Sequence, residues 1–378
     1  MATDSDEHSP ITIEQVIGPQ TETRQQTALG LCRKCNDLNA LEQLFLGTAL
    51  LGILGCLGLT IERLVTLEKN TADFIFALVL LVNAVFCVYY VLDGVYRERP
   101  YEVFTVVIGS AILIIYCAAE YGVDRSSKCR PWEGQCSPND IVKMTRLILI
   151  GIIGPVIMAL GCLVSWQYYK SGNLVFRTVG ANIELQKMCR IVYLCETLLK
   201  FDLQLGVTMI ILVLQSSEQA DELSSLEITI LSVGIAFNVL WMLLGFVGMW
   251  LESKYLSHIF LITSILEPAY IIYKIWDVSD QLSNKSGMVT VVPPTGNITT
   301  TLLPTLEPTS PTAILQIAVY FIGLGALALR VVLVVTMVVV SRNYGKGLKE
   351  KVYGTPPALL VDHSQPPTAA GFHNYGSL

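Results

Sequence analysis

The stretch GLGALALRVVLVVTMVVV, residues 323–340, decides the fold class of this chain. It is a nearly continuous apolar run with one charged residue, Arg330, close to its middle. A run of this length can cross a hydrocarbon core of about 30 Å as a helix. Because lipid offers no hydrogen bonds, the backbone groups of the run must be satisfied within the segment, as they are in a helix. The run therefore predicts a membrane-spanning helix with a permanent charge that needs a partner.

The rest of the chain has the same apolar character. Hydrophobic residues make up 52% of the sequence and charged residues only 15%, whereas soluble domains carry about 25% charged residues. The mean hydropathy is +0.55. Eight apolar runs are long enough to span a bilayer: 43–61, 74–92, 103–121, 145–166, 191–214, 228–250, 256–276 and 314–340. The sequence thus predicts an all-α integral membrane protein with eight transmembrane helices in contact with the lipid bilayer.

Basic residues indicate the orientation of these helices. The tail after the last run carries Arg342, Lys346, Lys349 and Lys351, and the loop after the fourth run carries Lys170, Arg177, Lys187 and Arg190. Loops rich in Lys and Arg usually stay in the cytosol. We therefore expect both termini to be cytosolic, in a plasma membrane or an endolysosomal membrane.

Two loops on the opposite side carry signs of an extracellular or lumenal environment. The Pro/Thr/Ser-rich loop 277–313 contains two N-glycosylation patterns, at Asn284 and Asn297. The loop between the third and fourth runs contains Cys129 and Cys136. A disulfide between these cysteines fits an oxidising compartment, and a metal site is the weaker interpretation because no further Cys or His lies nearby. The chain is thus predicted to be a glycoprotein with one external disulfide bond.

An offset of 154 residues aligns polar positions of the two halves of the chain. Glu42 then matches Glu196, and Glu98 matches Glu252; beyond the external loops the offset becomes 176, so that Tyr168 matches Tyr344. This pattern favours two parallel four-helix repeats related by an axis along the membrane normal. The alternative is that two four-helix blocks of equal topology share such positions without duplication.

The predicted organisation has five parts. They are a disordered cytosolic arm (1–40), a first four-helix half (41–170), a cytosolic linker with an amphipathic interfacial helix (171–190), a second four-helix half (191–345) and a cytosolic tail (346–378).

Several charged and amide side chains interrupt the apolar runs, where they are costly and usually face the protein interior. Arg330 lies about ten residues from the end of its run, roughly 15 Å deep in a helix. Asp202 is its predicted partner, and Glu267 is the rival acidic partner. Glu196 and Lys200 are spaced i,i+4 and can pair on one helix face. The predicted intramembrane polar site consists of Arg330, Asp202, Lys200, Glu196, Glu267, Asn83 and Asn238.

The sequence lacks the motifs of the common enzyme classes. The chain has four histidines, none spaced as metal ligands on one helix, and no nucleophile elbow, P-loop or dinucleotide fingerprint. We therefore expect no catalytic residues, no cofactor, no metal and no enzymatic activity. No basic patch suits nucleic acid, so no nucleic-acid partner is expected.

Two functions remain open from the sequence. The first is transport or conduction of a small solute or ion between the two halves, past the polar residues. The second is a non-transporting scaffold or receptor-like adaptor that works through its cytosolic tails and glycosylated loop. The C-terminal residues Tyr375 to Leu378 fit the Y-x-x-Φ sorting pattern, which predicts a clathrin-adaptor contact and a lysosomal destination.

Overall fold

The computed structural model describes residues 25–27, 30–33, 35–66, 72–124, 138–214, 225–273, 275–276 and 311–353. Some predictions fall outside these residues: the Cys129–Cys136 disulfide, the glycosylation sites Asn284 and Asn297, and the sorting residues Tyr375 and Leu378. They stay predictions.

The described part of the chain is almost entirely helical. Two three-residue strands, β1 (Gln25–Thr27) and β2 (Gly30–Cys32), pair antiparallel within the predicted arm, and a 3₁₀ turn (Cys35–Asp37) follows. The helices are α1 (Ala40–Thr66), α2 (Ala72–Tyr96), α3 (Pro100–Asp124), α4 (Pro138–Ser171), α5 (Asn173–Val179), α6 (Ile183–Leu214), α7 (Ser225–Trp250), α8 (Lys254–Thr263), α9 (Pro311–Arg342) and α10 (Lys349–Val352). A helical segment at 266–273 continues α8 after a short turn.

Seven stretches of helix in the described residues are long and apolar enough to cross a membrane, one fewer than the sequence predicts. The run without such a span is 191–214, which lies in α6. Its N-terminal half carries three charged residues, Glu196, Lys200 and Asp202, which lower its apolar character relative to the other runs. Length and composition therefore support a membrane span for seven of the eight predicted runs, and the run in α6 is the exception.

Large apolar side chains cover the outside of the helices. Leu51, Val65 and Phe321 are 71%, 81% and 77% exposed, and many others are similar. Patches of this extent are unusual on soluble monomers but are what lipid tails solvate. The fold is that of a multi-pass membrane protein.

The helices pack as two groups. In the first, α1 contacts α2 and α4, and α3 lies along α4; in the second, α6 contacts α7 and α9. Each group has a buried apolar core, around Phe45 and Val91 in the first and around Leu199 and Phe260 in the second. A third cluster, which includes Phe76 of α2 and Met209 of α6, joins the groups.

The turns α2–α3 and α7–α8 have the same backbone geometry. Glu98 and Glu252, which lie 154 residues apart, both have a positive φ, of 56° and 50°. Equivalent hydrogen bonds join Arg99 N to Gly94 O (2.9 Å) and Ser253 N to Gly248 O (3.1 Å), and likewise Glu98 N to Val95 O (3.4 Å) and Glu252 N to Met249 O (3.2 Å). Left-handed glutamates are uncommon, so the shared conformation is a specific likeness between the halves.

The break after α8 has a local cause. Pro268 has no N–H, so the carbonyl of Ser264 loses its helical partner. The chain turns at residues 264–265 and resumes as the segment 266–273, which carries Glu267. The break thus sets where the Glu267 carboxylate lies.

Candidate functional site

Arg330 of α9 lies in a buried ionic cluster within the second group of helices. Its Nη2 atom is 2.9 Å from Oδ2 of Asp202 on α6, and it also contacts Oε2 of Glu267. Only 4% of Arg330 and 2% of Asp202 are exposed. The structure therefore brings both acidic residues that the sequence named as rival partners to the same guanidinium.

An indole ring forms another wall of this cluster. The guanidinium carbon of Arg330 lies 3.8 Å from the centroid of the Trp241 ring on α7, and Trp241 stacks on Phe260 of α8 at 4.1 Å. A cation held over an indole face in a desolvated site is stabilised by about 2 kcal/mol. Trp241 was not predicted from the sequence, where its only signal is a large aromatic residue between aliphatic neighbours in α7.

Among the described residues, the charges of this cluster do not balance. It joins one guanidinium to two carboxylates, so with both acids ionised the net charge is −1. Burying an uncompensated charge costs several kcal/mol. One carboxyl group therefore requires a proton or a bound cation when the cluster is buried. The arrangement can thus take up and release a proton or a cation.

Asn83 belongs to a separate polar group at the junction of the two halves. Its Oδ1 accepts a hydrogen bond from Gln204 Nε2 at 2.6 Å, and its Nδ2 donates to Val79 O at 2.8 Å and to Thr208 Oγ1 at 3.4 Å. Gln204 and Thr208 were not singled out from the sequence, although their i,i+4 spacing on α6 placed them on one face.

Asn238 also lies apart from the Arg330 cluster. Its side-chain amide packs against Gly206 of α6, where an added Cβ would come within 3.0 Å of both amide heteroatoms. The missing side chain of Gly206 makes room for this amide, so Asn238 marks close packing of α7 on α6 at this point.

Glu196 and Lys200 form a third group, at the α2–α3 turn. The predicted pair between them is not among the ion pairs of the described residues. Arg99 contacts Glu196 at 2.8 Å, and Lys200 contacts Glu102 at 2.6 Å. Lys200 also lies 3.3 Å from Asp93. Glu196 and Lys200 contact other residues despite their i,i+4 spacing, because the α2–α3 turn brings charged side chains of α2 and α3 against this face of α6.

The carboxylates around the α2–α3 turn keep Arg99 positively charged. Burial lowers the pKa of the guanidinium, but the carboxylates of Glu196, Glu102 and Asp93 outweigh that effect and raise it above its ordinary value. Tyr353, just beyond α10, donates its hydroxyl to Glu196 Oε1 at 2.9 Å. Burial and the Glu196 carboxylate raise the pKa of Tyr353. The network thus joins α3, α6 and the chain after α10.

The predicted polar site therefore resolves into separate places. Arg330, Asp202 and Glu267 meet; Asn83 lies at the junction; Asn238 lies against Gly206; Glu196 and Lys200 lie at the turn. In the part of the chain that the structure describes, no three His, Cys, Asp or Glu residues are grouped so that they could hold a metal ion.

Apolar helices, a lipid-exposed surface and charges turned inward define this molecule as a multi-pass helical membrane protein. The chain belongs to the family described as "Domain of unknown function (DUF7789)", whose model matches residues 29–167 and 179–339. These two matched stretches coincide with the two groups of helices. No curated protein and no solved structure matches the chain.

Proposed function

We propose that this protein moves a small solute or ion across its membrane, and that the Arg330–Asp202–Glu267 cluster is the site that handles it. The observation that carries the proposal is the surplus carboxylate in a buried, membrane-embedded cluster. Ionisable residues within spans are rare because they are costly, and they commonly mark ion or proton pathways.

The chemistry of the cluster suggests how it works. With one carboxyl group protonated, the remaining carboxylate balances Arg330 and the helices close around a neutral group. Loss of that proton leaves a net charge of −1, which favours water entry or a cation. Protonation would then couple the opening of the site to the passage of a cation or proton.

Proton flux into reconstituted vesicles tests this mechanism. Phosphatidylcholine vesicles that contain the protein and a trapped pH-sensitive dye are given a pH gradient. We expect wild type to dissipate the gradient faster than protein-free vesicles, and Glu267→Gln or Asp202→Asn to slow it about tenfold or more. Glu62→Gln, at an exposed position near the end of α1, is the matched control and should behave as wild type. Equal rates for wild type and Glu267→Gln would refute the mechanism.

The architecture that goes with this function has eight spans in two parallel four-helix halves, with α6 as the eighth span and both termini cytosolic. The matching turns at Glu98 and Glu252 support the duplication. In α6 the charges face partners on α2, the α2–α3 turn, α3 and α9 rather than lipid, which makes a charged span tolerable. A plasma membrane or endolysosomal location and a non-enzymatic role complete the proposal.

A non-transporting scaffold is the second candidate, and one observation favours it. Among the described residues, Asp202, Glu267 and Trp241 surround the Arg330 guanidinium. Such contacts are expected for a group that fixes helix packing. Under this alternative, removing charges from the cluster changes stability but not flux.

A further inference from the structure

A groove with a volume of about 740 Å³ is lined by α2, α6 and α7 and by the α2–α3 turn. It lies at the end of the helices that the sequence predicts to be cytosolic. One wall is a single face of α7, where Met242, Phe246 and Trp250 follow one another at intervals of four residues. Tyr89 of α2 adds to the apolar lining. The groove is therefore apolar along most of its length.

The apolar walls of the groove are open to the bilayer. Leu243 and Trp250 of α7 are 46% and 45% exposed, and Tyr89 of α2 is 37% exposed. All three residues line the groove, and they belong to the apolar outer surface that lipid tails solvate. A lipid chain can therefore lie in the groove without leaving the membrane.

Three cations also line the groove: Arg97 and Arg99 at the α2–α3 turn, and Lys200 of α6. Their side chains are 16%, 14% and 11% exposed, so an occupant can reach them. Each cation pairs with carboxylates, but those carboxylates do not line the groove; they are Asp93, Glu102 and Glu196. The charge that an occupant meets first is therefore positive.

Arg97 has donors to spare for such an occupant. Asp93 contacts its Nε atom at 3.1 Å, and among the described residues the two terminal nitrogens of Arg97 have no ion-pair or hydrogen-bond partner. A guanidinium can bind a phosphate through two parallel N–H···O bonds. The geometry around Arg97 thus suits a phosphate group that approaches from the groove.

We propose that this groove binds an anionic phospholipid of the surrounding leaflet, with its phosphate on Arg97 and one acyl chain along the α7 face. Basic pockets between membrane helices on the cytosolic side are suited to anionic headgroups. A soluble anion gains nothing from the apolar walls, and a zwitterionic lipid brings its own cation close to Arg97 and Lys200. Lipid binding here does not require that the protein transport anything, so the proposal stands or falls separately from the role of Arg330.

Photolabelling of the protein in phosphatidylcholine vesicles tests the site. The probe is phosphatidylserine with a diazirine midway along one acyl chain, and phosphatidylcholine with the same chain is the matched zwitterionic probe. Mass spectrometry reads the labelling of residues 242–250. We expect phosphatidylserine to label them about fivefold more than phosphatidylcholine, which is the effect of one cation on an anionic lipid. Phe104, which is 49% exposed near the same end of α3 and does not line the groove, should be labelled equally by both lipids.

Three variants separate the site from general effects of charge and folding. Arg97→Gln should bring the labelling of residues 242–250 by the two lipids close to equal, and Asp93 keeps its contact with Lys200 in this variant. Arg97→Lys retains the charge and should retain most of the preference. Lys346→Gln removes the same charge from an exposed position outside the groove, so the preference should persist.

Three results would overturn the proposal. They are equal labelling of residues 242–250 by the two lipids in wild type, an unchanged preference in Arg97→Gln, and an equal preference for phosphatidylserine at Phe104. Loss of the preference on adding soluble glycerol phosphate would also overturn it, because the groove would then bind a soluble anion.

Discussion

The cores of the two halves contain different groups at matching positions. Offsets of 154 residues, and of 176 in α4 and α9, relate Trp241 to Cys87, Glu267 to Leu113, and Arg330 to Gly154. In the second half the three residues form an ionic cluster under an indole. In the first half Cys87, Leu113 and Gly154 line an apolar cavity of about 50 Å³.

This difference shows which features the fold needs and which it does not. Both halves share the Glu98-type turn and similar helix contacts, so these contacts form with Cys87, Leu113 and Gly154 in place of Trp241, Glu267 and Arg330. Because buried ion pairs are seldom more stabilising than apolar packing, the ionic cluster of the second half supports the functional role proposed above.

The largest expected effect on stability comes from removing the Arg330 guanidinium. Arg330→Met leaves Asp202 and Glu267 buried together without a counter-charge, and we expect unfolding to become easier by about 3–5 kcal/mol. Thermal unfolding in detergent measures this. Cys87→Ala, at the position that corresponds to Trp241, should cost about 1 kcal/mol. Adding Asp202→Asn and Glu267→Gln to Arg330→Met should restore most of the stability; if it does not, the electrostatic account of the cluster is wrong.

A second effect concerns the link between the halves. Arg99→Gln removes the cation that joins Glu102 to Glu196, and we expect a loss of about 2 kcal/mol because buried carboxylates lose a partner. A double-mutant cycle with Glu196→Gln, read by chemical denaturation, should give a coupling of about 1 kcal/mol or more. Strictly additive effects would mean that the contact does not couple the halves.

The third prediction is a gain in stability and concerns the first half. Ala84→Val adds methyl groups to the 50 Å³ cavity that Ala84 lines, and the volume filled predicts a gain of up to about 1 kcal/mol. Ala49→Val is the matched control, because Ala49 is fully buried and does not line this cavity; it should destabilise. A loss of stability in both variants would show that the first core is already well packed.

The smallest expected effect compares the equivalent turns. Glu252→Gly relieves the positive φ but also loses the hydrogen bond that Glu252 Oε2 accepts from Gly345 N at 2.9 Å, so the net change in stability should stay within about 0.5 kcal/mol. Glu98→Gly relieves the same strain but also loses the ion pairs with Arg33 and Arg177, so it should destabilise. The measurement is the difference in melting temperature between the two variants. Identical shifts would remove this distinction between the halves.

The sequence predicted the residues of the cluster better than its surroundings. Arg330 and Asp202 could be proposed as partners because intramembrane charges are few and must be paired. The contact of Glu267 with Arg330 depends on the break after α8, and the position of Trp241 depends on how α7 places its ring over Arg330. Such distances between helices far apart in sequence are not encoded in local periodicity.

The same limit explains why Glu196 and Lys200, which can pair by their spacing, contact other residues. The i,i+4 spacing of Glu196 and Lys200 describes an isolated helix. In the fold, Arg99 of the α2–α3 turn pairs with Glu196, and Glu102 of α3 pairs with Lys200. Asn83 and Asn238 were singled out from the sequence and Gln204 was not, because only the packing of α2 against α6 shows that the Gln204 amide meets Asn83.

Water access to the second core is the most direct test of the account. Ala326→Cys places a small thiol one turn from Arg330 on the same face of α9, and Ile150→Cys is its counterpart in the first half; both positions are buried. Each is introduced into a cysteine-free background and treated with a membrane-impermeant thiol reagent from either side. The account predicts labelling at 326 and none at 150. No labelling at 326 in a folded protein would contradict a transport site at Arg330.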